Sequence, residues 1–234
     1  MTRTIVSLTC LCLAAPLFAG GAMAWGQGAR PPAQNPQEAK LIEVLKSDAS
    51  RKEKADACLE LARIGSKNSL AALTALLGDE KFAHMARYAL EPIPDPAVDA
   101  ALRDALGRLK GRPLIGVIGS IGVRRDVKAV GSLAALLKDK DADVAQAAAR
   151  ALGSLGTAEA AKALEGARSD APPATQLAIA EGLFRCAEAL SACGQRGDAL
   201  AIYQMLSDPK MPQQVRDGAA RKARLLSQAE GPRL

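Results

Sequence analysis

The stretch AQAAARALGSLGTAEAAKALEGA, residues 145–167, decides the fold class of this chain. It consists mostly of alanine, leucine and glycine, and it contains no aromatic residue. Side chains this small cannot fill a core alone, but they let neighbouring helices approach closely while the leucines fill the gaps. The stretch therefore predicts helices that pack against one another in a repeating stack.

The composition of the whole chain points the same way. The 234 residues are 49% hydrophobic but only 3% aromatic. The apolar residues are largely alanine and leucine, whereas strands favour Val, Ile, Tyr and Phe. We therefore expect an all-α fold, with enough residues for one sizeable domain or several stacked units.

Four short strings recur along the chain, each with two apolar residues three positions apart and then a helix breaker. They are LARIG at 61–65, LEPIP at 90–94, IGSIG at 118–122 and LGSLG at 152–156, and successive strings begin 29, 28 and 34 residues apart. Because helical segments flank them, the unit is helix, turn, helix, turn over about thirty residues. Helical periodicity runs from Glu38 almost to the end, which predicts about six helix pairs.

Glycine, proline and aspartate are expected to mark the helix ends and turns of these units. Gly65, Gly122 and Gly156 are predicted to be left-handed residues that end helices. Pro92, Pro94 and Pro96 interrupt the helix in their turn. The aspartates of GDEK at 78–81 and KDKDADV at 138–144 are expected to cap the helices that follow.

One segment resembles a known family. LLKDKDADVAQAAARALGSLG at 136–156 is similar to a HEAT repeat of the short bacterial kind, whose second helix reads Asp-x-x-Val-Arg-x-x-Ala-x-x-Ala-Leu-Gly. The residues that follow this pattern are Asp141, Val144, Ala148, Ala151, Leu152 and Gly153, while Ala145 replaces the arginine. PQQVRDGAARKARLL at 212–226 restores the Val-Arg pair. The resemblance covers about residues 38–228 and implies a right-handed α-α superhelix that serves as a binding scaffold. Residues 180–209 resemble a degenerate tetratricopeptide hairpin.

The N-terminus is predicted to be a secretory signal peptide over residues 1–24. Arg3 precedes an apolar run at 5–19, and Ala22-Met23-Ala24 fits the rule for cleavage after Ala24. The run is short for a bilayer span, which needs about 20 residues; an uncleaved anchor is the alternative. Residues 25–37 are rich in Gly, Pro, Gln and Asn and are expected to form a flexible tether. The mature protein is thus expected to be periplasmic or extracellular.

Cleavage after Ala24 would leave three cysteines: Cys58, Cys186 and Cys193. On one helix, Cys186 and Cys193 would have Cα atoms about 10.5 Å apart, beyond the roughly 7 Å limit of a disulfide. We expect all three to be small buried apolar residues, with pairing of Cys58 to another chain as the alternative. The net charge of +6 would fall to +5, because the segment carries Arg3 and no acidic residue.

The sequence contains few motifs that indicate a catalytic, nucleotide-binding or metal-binding site. The glycines of LIGVIGSIGV at 114–123 are three apart, which does not fit the Gly-x-Gly-x-x-Gly of dinucleotide sites, so we expect a flat stripe for helix packing. His84 is the only histidine, and no spacing around it indicates a metal site. The sequence therefore predicts no catalytic residue, no metal and no cofactor.

Candidate partner-binding residues come from two places. His84 and Tyr88 share a helix face with Arg87 beside them, a contact surface if second helices line the concave side as in HEAT arrays. Arg124 and Arg125 belong to the second of two basic clusters, the first being Arg108, Lys110 and Arg112 and the second being completed by Lys128. A helix of roughly nine residues between the clusters would place them at opposite edges, about 13.5 Å apart.

The leading hypothesis is an exported, non-enzymatic scaffold that binds another protein through the groove of the solenoid. One alternative is an accessory subunit or lyase of the HEAT-like bilin lyase type. Export and the small number of aromatic residues argue against this alternative. Another is a module that binds an envelope polymer by charge. Export also argues against a nucleic-acid partner, and a membrane would be contacted only through an uncleaved signal segment.

Overall fold

Twelve α-helices form the regular structure of the described residues, 35–209 and 211–228, in this computed structural model, together with two 3₁₀ turns. No strand is found within these ranges, so the all-α prediction is confirmed. The predicted signal peptide and all but the last residues of the tether lie outside the described residues. The helices are α1 Pro36–Lys46, α2 Arg51–Ile64, α3 Leu70–Ala75, α4 Ala83–Leu90, α5 Pro96–Leu106, α6 Gly111–Arg124, α7 Val130–Leu136, α8 Ala142–Leu155, α9 Ala158–Ala167, α10 Pro173–Ala192, α11 Arg196–Leu206 and α12 Gln213–Gln228.

The helices form the six expected pairs, each an odd-numbered helix followed by an even-numbered one. Every even-numbered helix packs against the next, from α2 through to α12. All substantial contacts between helices in the described part of the chain join elements one or two places apart in the sequence. This neighbour-to-neighbour packing is what a stack of helical repeats requires.

Close contact between α8 and α10 explains the alanine-rich and glycine-rich stretch. A β-carbon on Gly153 would lie 2.6 Å from the Cα of Gly182, and one on Gly182 would lie 2.7 Å from the carbonyl oxygen of Ala149. Ala148 and Leu152 of α8 are fully buried in the same core. The missing side chains thus let two helix backbones touch, as the sequence predicted.

Two of the three predicted left-handed glycines are not left-handed. Gly156 ends α8 with φ 69° as expected, but Gly65 is extended, with φ −63° and ψ 145°. Gly122 lies inside α6, and Arg125, with φ 53°, provides the left-handed end of that helix. Close packing accounts for both glycines instead, because a β-carbon would lie 2.3 Å from the carbonyl oxygen of Leu61 at Gly65 and 3.2 Å from the Cα of Ala151 at Gly122.

The aspartate caps agree with the prediction in one turn and not in the other. Asp141 caps α8 by accepting a hydrogen bond from the backbone N–H of Asp143 at 2.9 Å. Asp79 accepts one from Lys81 within its own turn, and α4 begins after Phe82 without a side-chain cap. Pro96 is the first residue of α5 and so starts a helix rather than ending one.

The cysteines divide into two buried thiols and one exposed thiol. Cys58 and Cys186 are fully buried, and burial raises the pKa of Cys58 to about 11 and that of Cys186 to about 12. The prediction that Cys193 is buried is wrong, because it lies at the surface just after the last residue of α10. No disulfide joins these three residues.

A buried glutamate connects the first helix pair to the second. Helix α1 begins at Pro36, slightly before the expected Glu38, with Asn35 as its N-cap. Glu38 is 2% exposed and accepts hydrogen bonds from the backbone N–H of Ser66 at 2.7 Å and the hydroxyl of Ser69 at 2.6 Å. Burial alone would raise the pKa of Glu38, but these hydrogen bonds outweigh it and hold the pKa below its usual value.

Candidate protein-binding surface

The even-numbered helices carry the surface on which the sequence placed partner binding. We call this surface the even-helix face. Its half-buried and exposed residues are His84, Arg87 and Tyr88 on α4, Arg112, Gly116, Gly119 and Val123 on α6, Arg150 and Ser154 on α8, and Glu181, Arg185 and Glu188 on α10. Within each helix these residues are three or four positions apart, or adjacent, so they share one side of the helix. Tyr88 is 50% exposed and Val123 is 66% exposed, which places apolar surface among the charges.

The first depression on this face is the Arg87 cleft, between the N-terminal ends of α4 and α6. It has a volume of about 200 Å³. Its lining residues are Glu80, Ala83, His84, Arg87, Arg112 and Pro113. The structure therefore brings together His84 and Arg87, as predicted, and adds an arginine that the sequence assigned only to a basic turn.

Arg87 lies flat against α6 at a position that has no side chain. A β-carbon on Gly116 would lie 2.2 Å from Cζ of Arg87 and 2.3 Å from its Nη1 atom. No hydrogen bond or ion pair joins this guanidinium to another described residue. Burial lowers the pKa of Arg87, and the Glu91 carboxylate partly offsets this by raising it.

The structure gives Arg124, a predicted partner-binding residue, internal partners. Its side chain is only 10% exposed, and its Nη2 atom donates to the Asp99 carboxylate at 3.1 Å. Its Nη1 atom donates to the carbonyl oxygens of Glu91 at 2.8 Å and Ile93 at 2.7 Å. Arg124 thus ties α6 to α5 and to the turn after α4, and these internal contacts occupy the donors that a partner would need.

Arg125 lines a second depression, the Arg125 cleft, where α6, α8 and α10 meet. The cleft has a volume of about 460 Å³ and is lined by Gly122, Val123, Arg125, Gly153, Ser154, Arg185, Glu188 and Ala189. Glu188 pairs with Lys222 of α12 at 2.8 Å. Since no ion pair engages Arg125 or Arg185 within the described ranges, the cleft presents two free cations over a floor of small residues.

The two basic clusters lie at opposite ends of one helix, as the sequence predicted. The intervening helix, α6, has 14 residues rather than about nine, so its ends are about 21 Å apart. Gly116 and Arg185 also belong to the surface, although the sequence did not indicate this. For Gly116 the signal available in the sequence is the repeat spacing alone, because it follows Arg87 by 29 residues and the recurring strings of these two repeats begin 28 residues apart.

Within the described part of the chain, no group of three or more His, Cys, Asp and Glu side chains is arranged to hold a metal ion. The same residues include no helix that is both long and apolar enough to span a membrane.

Comparison with known proteins identifies repeats in the middle of the chain. Residues 89–183, from the end of α4 to the middle of α10, match the family of HEAT repeats, which confirms the resemblance there. The chain is also similar to the crystal structure of an engineered protein, a Northeast Structural Genomics Consortium target, with 21% identity and a TM-score of 0.48 over 83% of this chain and 98% of the other. A second engineered protein from that consortium gives 24% identity and a TM-score of 0.44 over 83% of this chain and 100% of the other. No curated protein matches the chain.

Proposed function

We propose that this protein is an exported, non-catalytic scaffold that uses its HEAT repeats to bind another protein along the even-helix face. HEAT repeats generally mediate protein interactions, and the repeats match at residues 89–183. The observation that carries the proposal is the arrangement of that face. Exposed rings and aliphatic groups lie between arginines whose side chains make no hydrogen bond or ion pair with other described residues, a combination enriched at the centres of protein interfaces.

The apolar part of the face supports a protein partner over a simple polyanion. Tyr88 and Val123 are among the most exposed large hydrophobic residues, and Leu59, on the neighbouring helix α2, is 45% exposed. A binder of charged polymers gains little from such groups, whereas a protein partner buries them. Tyrosine and arginine are also the residue types that dominate measured interface energetics.

Site-specific photo-crosslinking tests the proposal. A photoreactive phenylalanine derivative replaces Tyr88 on α4 in one variant and Lys162, an exposed residue of α9, in the matched control. After irradiation of intact cells, we expect a discrete protein adduct from position 88 and none from position 162. Equal labelling at both positions, or no protein adduct from position 88, would contradict binding along this face.

Export is tested separately, on the same cells. We propose that residues 1–24 are removed during secretion, since Ala22-Met23-Ala24 satisfies the cleavage rule. N-terminal sequencing of the protein from the envelope fraction is expected to begin at Trp25. A protein recovered from the cytoplasm with Met1 at its start would overturn this part of the proposal and leave the binding face untouched.

A further inference from the structure

Arg87 is the cation on the even-helix face whose head group lies against a glycine of the neighbouring helix. Its guanidinium lies against the backbone of α6 at Gly116, where the atoms Cζ, Nη1 and Nη2 would be 2.2, 2.3 and 2.6 Å from any β-carbon. A residue other than glycine would displace the head group. The absence of a side chain at Gly116 thus leaves room for the Arg87 guanidinium, which makes no hydrogen bond within the described residues.

The surroundings of Arg87 favour an anion. Arg112 and His84 line the same cleft, and Glu80 is the one carboxylate in its lining. Glu91, the other acidic residue that acts on Arg87, accepts a hydrogen bond from Ser120 at 2.7 Å. Within the lining, two arginines therefore face one exposed carboxylate, so the lining carries a net positive charge, while Glu91 keeps its charge but lies outside the lining. A half-buried cation interacts more strongly with an anion than an exposed one does, because water screens it less.

The size of the cleft and the exposed ring that follows Arg87 in the chain narrow the class of ligand. Its volume of about 200 Å³ is below the roughly 300–1,000 Å³ of pockets that enclose drug-sized molecules, and it suits a single acidic group. Tyr88 follows Arg87 in α4 and has half of its surface exposed. An occupant that satisfies both features carries a carboxylate and an apolar group side by side, as a peptide segment does.

We propose that the Arg87 cleft receives an aspartate or glutamate side chain of the protein partner, and that an adjacent apolar side chain of that partner packs on the Tyr88 ring. This rests on the proposed function of the even-helix face. Arg87 and Arg112 bind the carboxylate, the first from a position set by Gly116. The cleft therefore selects partners by an acidic residue next to an apolar one.

Selection from a random peptide library on the full-length protein tests the inference. We expect selected peptides to share an acidic residue next to an apolar one. A synthetic peptide of the enriched sequence, measured by fluorescence anisotropy, should lose about tenfold in affinity when its acidic residue is replaced by the corresponding amide. Arg87→Gln in the protein should produce the same loss, and the two changes together should cost little more than either alone.

Gly116→Ala tests the position of the Arg87 guanidinium without changing its charge. The three atoms nearest to the new methyl group all belong to the Arg87 side chain, which can swing aside, so the variant should fold while keeping every charge. We expect it to weaken the peptide nearly as much as Arg87→Gln. Gly131→Ala on α7, outside the even-helix face, is the control, because no atom lies within 4 Å of its β-carbon, and it should bind normally.

The outcomes distinguish the inference from the function on which it rests. Peptides that lack an acidic residue and bind Arg87→Gln normally would overturn the inference and leave a protein-binding face in place. Full affinity of Gly116→Ala would also overturn it. If no peptide is selected and phosphatidylglycerol vesicles bind through Arg87 instead, both the inference and the proposed function fail.

Discussion

Replacement of Gly182 by alanine tests whether backbone contact holds the stack together. Gly182 lies in the middle of α10, where a β-carbon would be 2.7 Å from the carbonyl oxygen of Ala149 and 3.0 Å from Cδ1 of Leu164. Carbon and carbonyl oxygen atoms pack at about 3.3 Å or more. The oxygen belongs to the backbone of α8 and cannot rotate away, so Gly182→Ala must push the two helices apart by about 0.6 Å.

Two opposing terms set the expected magnitude. Alanine in a helix interior is favoured over glycine by about 1 kcal/mol. Overpacking a tight core costs about 1–3 kcal/mol, and the upper value applies because the methyl group has no alternative rotamer. We therefore expect Gly182→Ala to lower the free energy of unfolding by about 2 kcal/mol.

Gly119→Ala is the matched control, because it is the same change in the interior of α6 with no atom within 4 Å of the new methyl group. It should retain the helix-propensity gain of about 1 kcal/mol. The two variants should thus differ by about 3 kcal/mol, which for a domain of this size corresponds to about 6–12 °C in midpoint temperature. Far-UV circular dichroism during thermal and urea unfolding measures both quantities. If Gly182→Ala is as stable as Gly119→Ala, close backbone approach is not what these glycines provide.

Three further predictions concern the seams between pairs and the thiols. Arg124→Gln should lower the free energy of unfolding by about 3 kcal/mol, since it leaves a largely buried carboxylate without its partner. Arg125→Gln at the exposed neighbour should change it by less than about 0.5 kcal/mol. Urea titrations compare the two variants, and equal losses would contradict the internal role of Arg124. Glu38→Gln should cost about 2 kcal/mol near neutral pH. Because the folded-state pKa of Glu38 is lowered, its stabilisation is present above the unfolded-state pKa of about 4.3 and is lost as the pH falls through the folded-state pKa. The free energies of unfolding of the wild type and Glu38→Gln should therefore converge in acid. A difference that stays constant from neutral to acidic pH would be inconsistent with this. Iodoacetamide should label Cys193 in the native protein and reach the two buried thiols of the helices only after denaturation, as peptide mapping will show; native labelling of either buried thiol would argue against the packing.

The sequence was sufficient to predict the stack but not the contacts across it. Periodicity and small residues predicted helix pairs, and Gly156 ended its helix as expected. A left-handed conformation is expected for Gly65 and Gly122 because glycine commonly ends helices, yet the atoms closest to a β-carbon there are the carbonyl oxygen of Leu61 in the preceding helix and the backbone of Ala151 in α8. Arg124 is expected from the sequence to be a surface charge, because its carboxylate and carbonyl partners lie about one repeat earlier in the chain. Partners at such a distance are visible only once the register between repeats is known.

The neighbour-only packing of the helix pairs has a consequence for the history and the mechanics of the chain. A pair that touches just the units before and after it can be duplicated or deleted as a block, provided that the new junction restores the same small-residue seam. Under a force applied at its two ends, the protein should accordingly unfold in discrete steps, and the segment joined by α8 and α10 should unfold last.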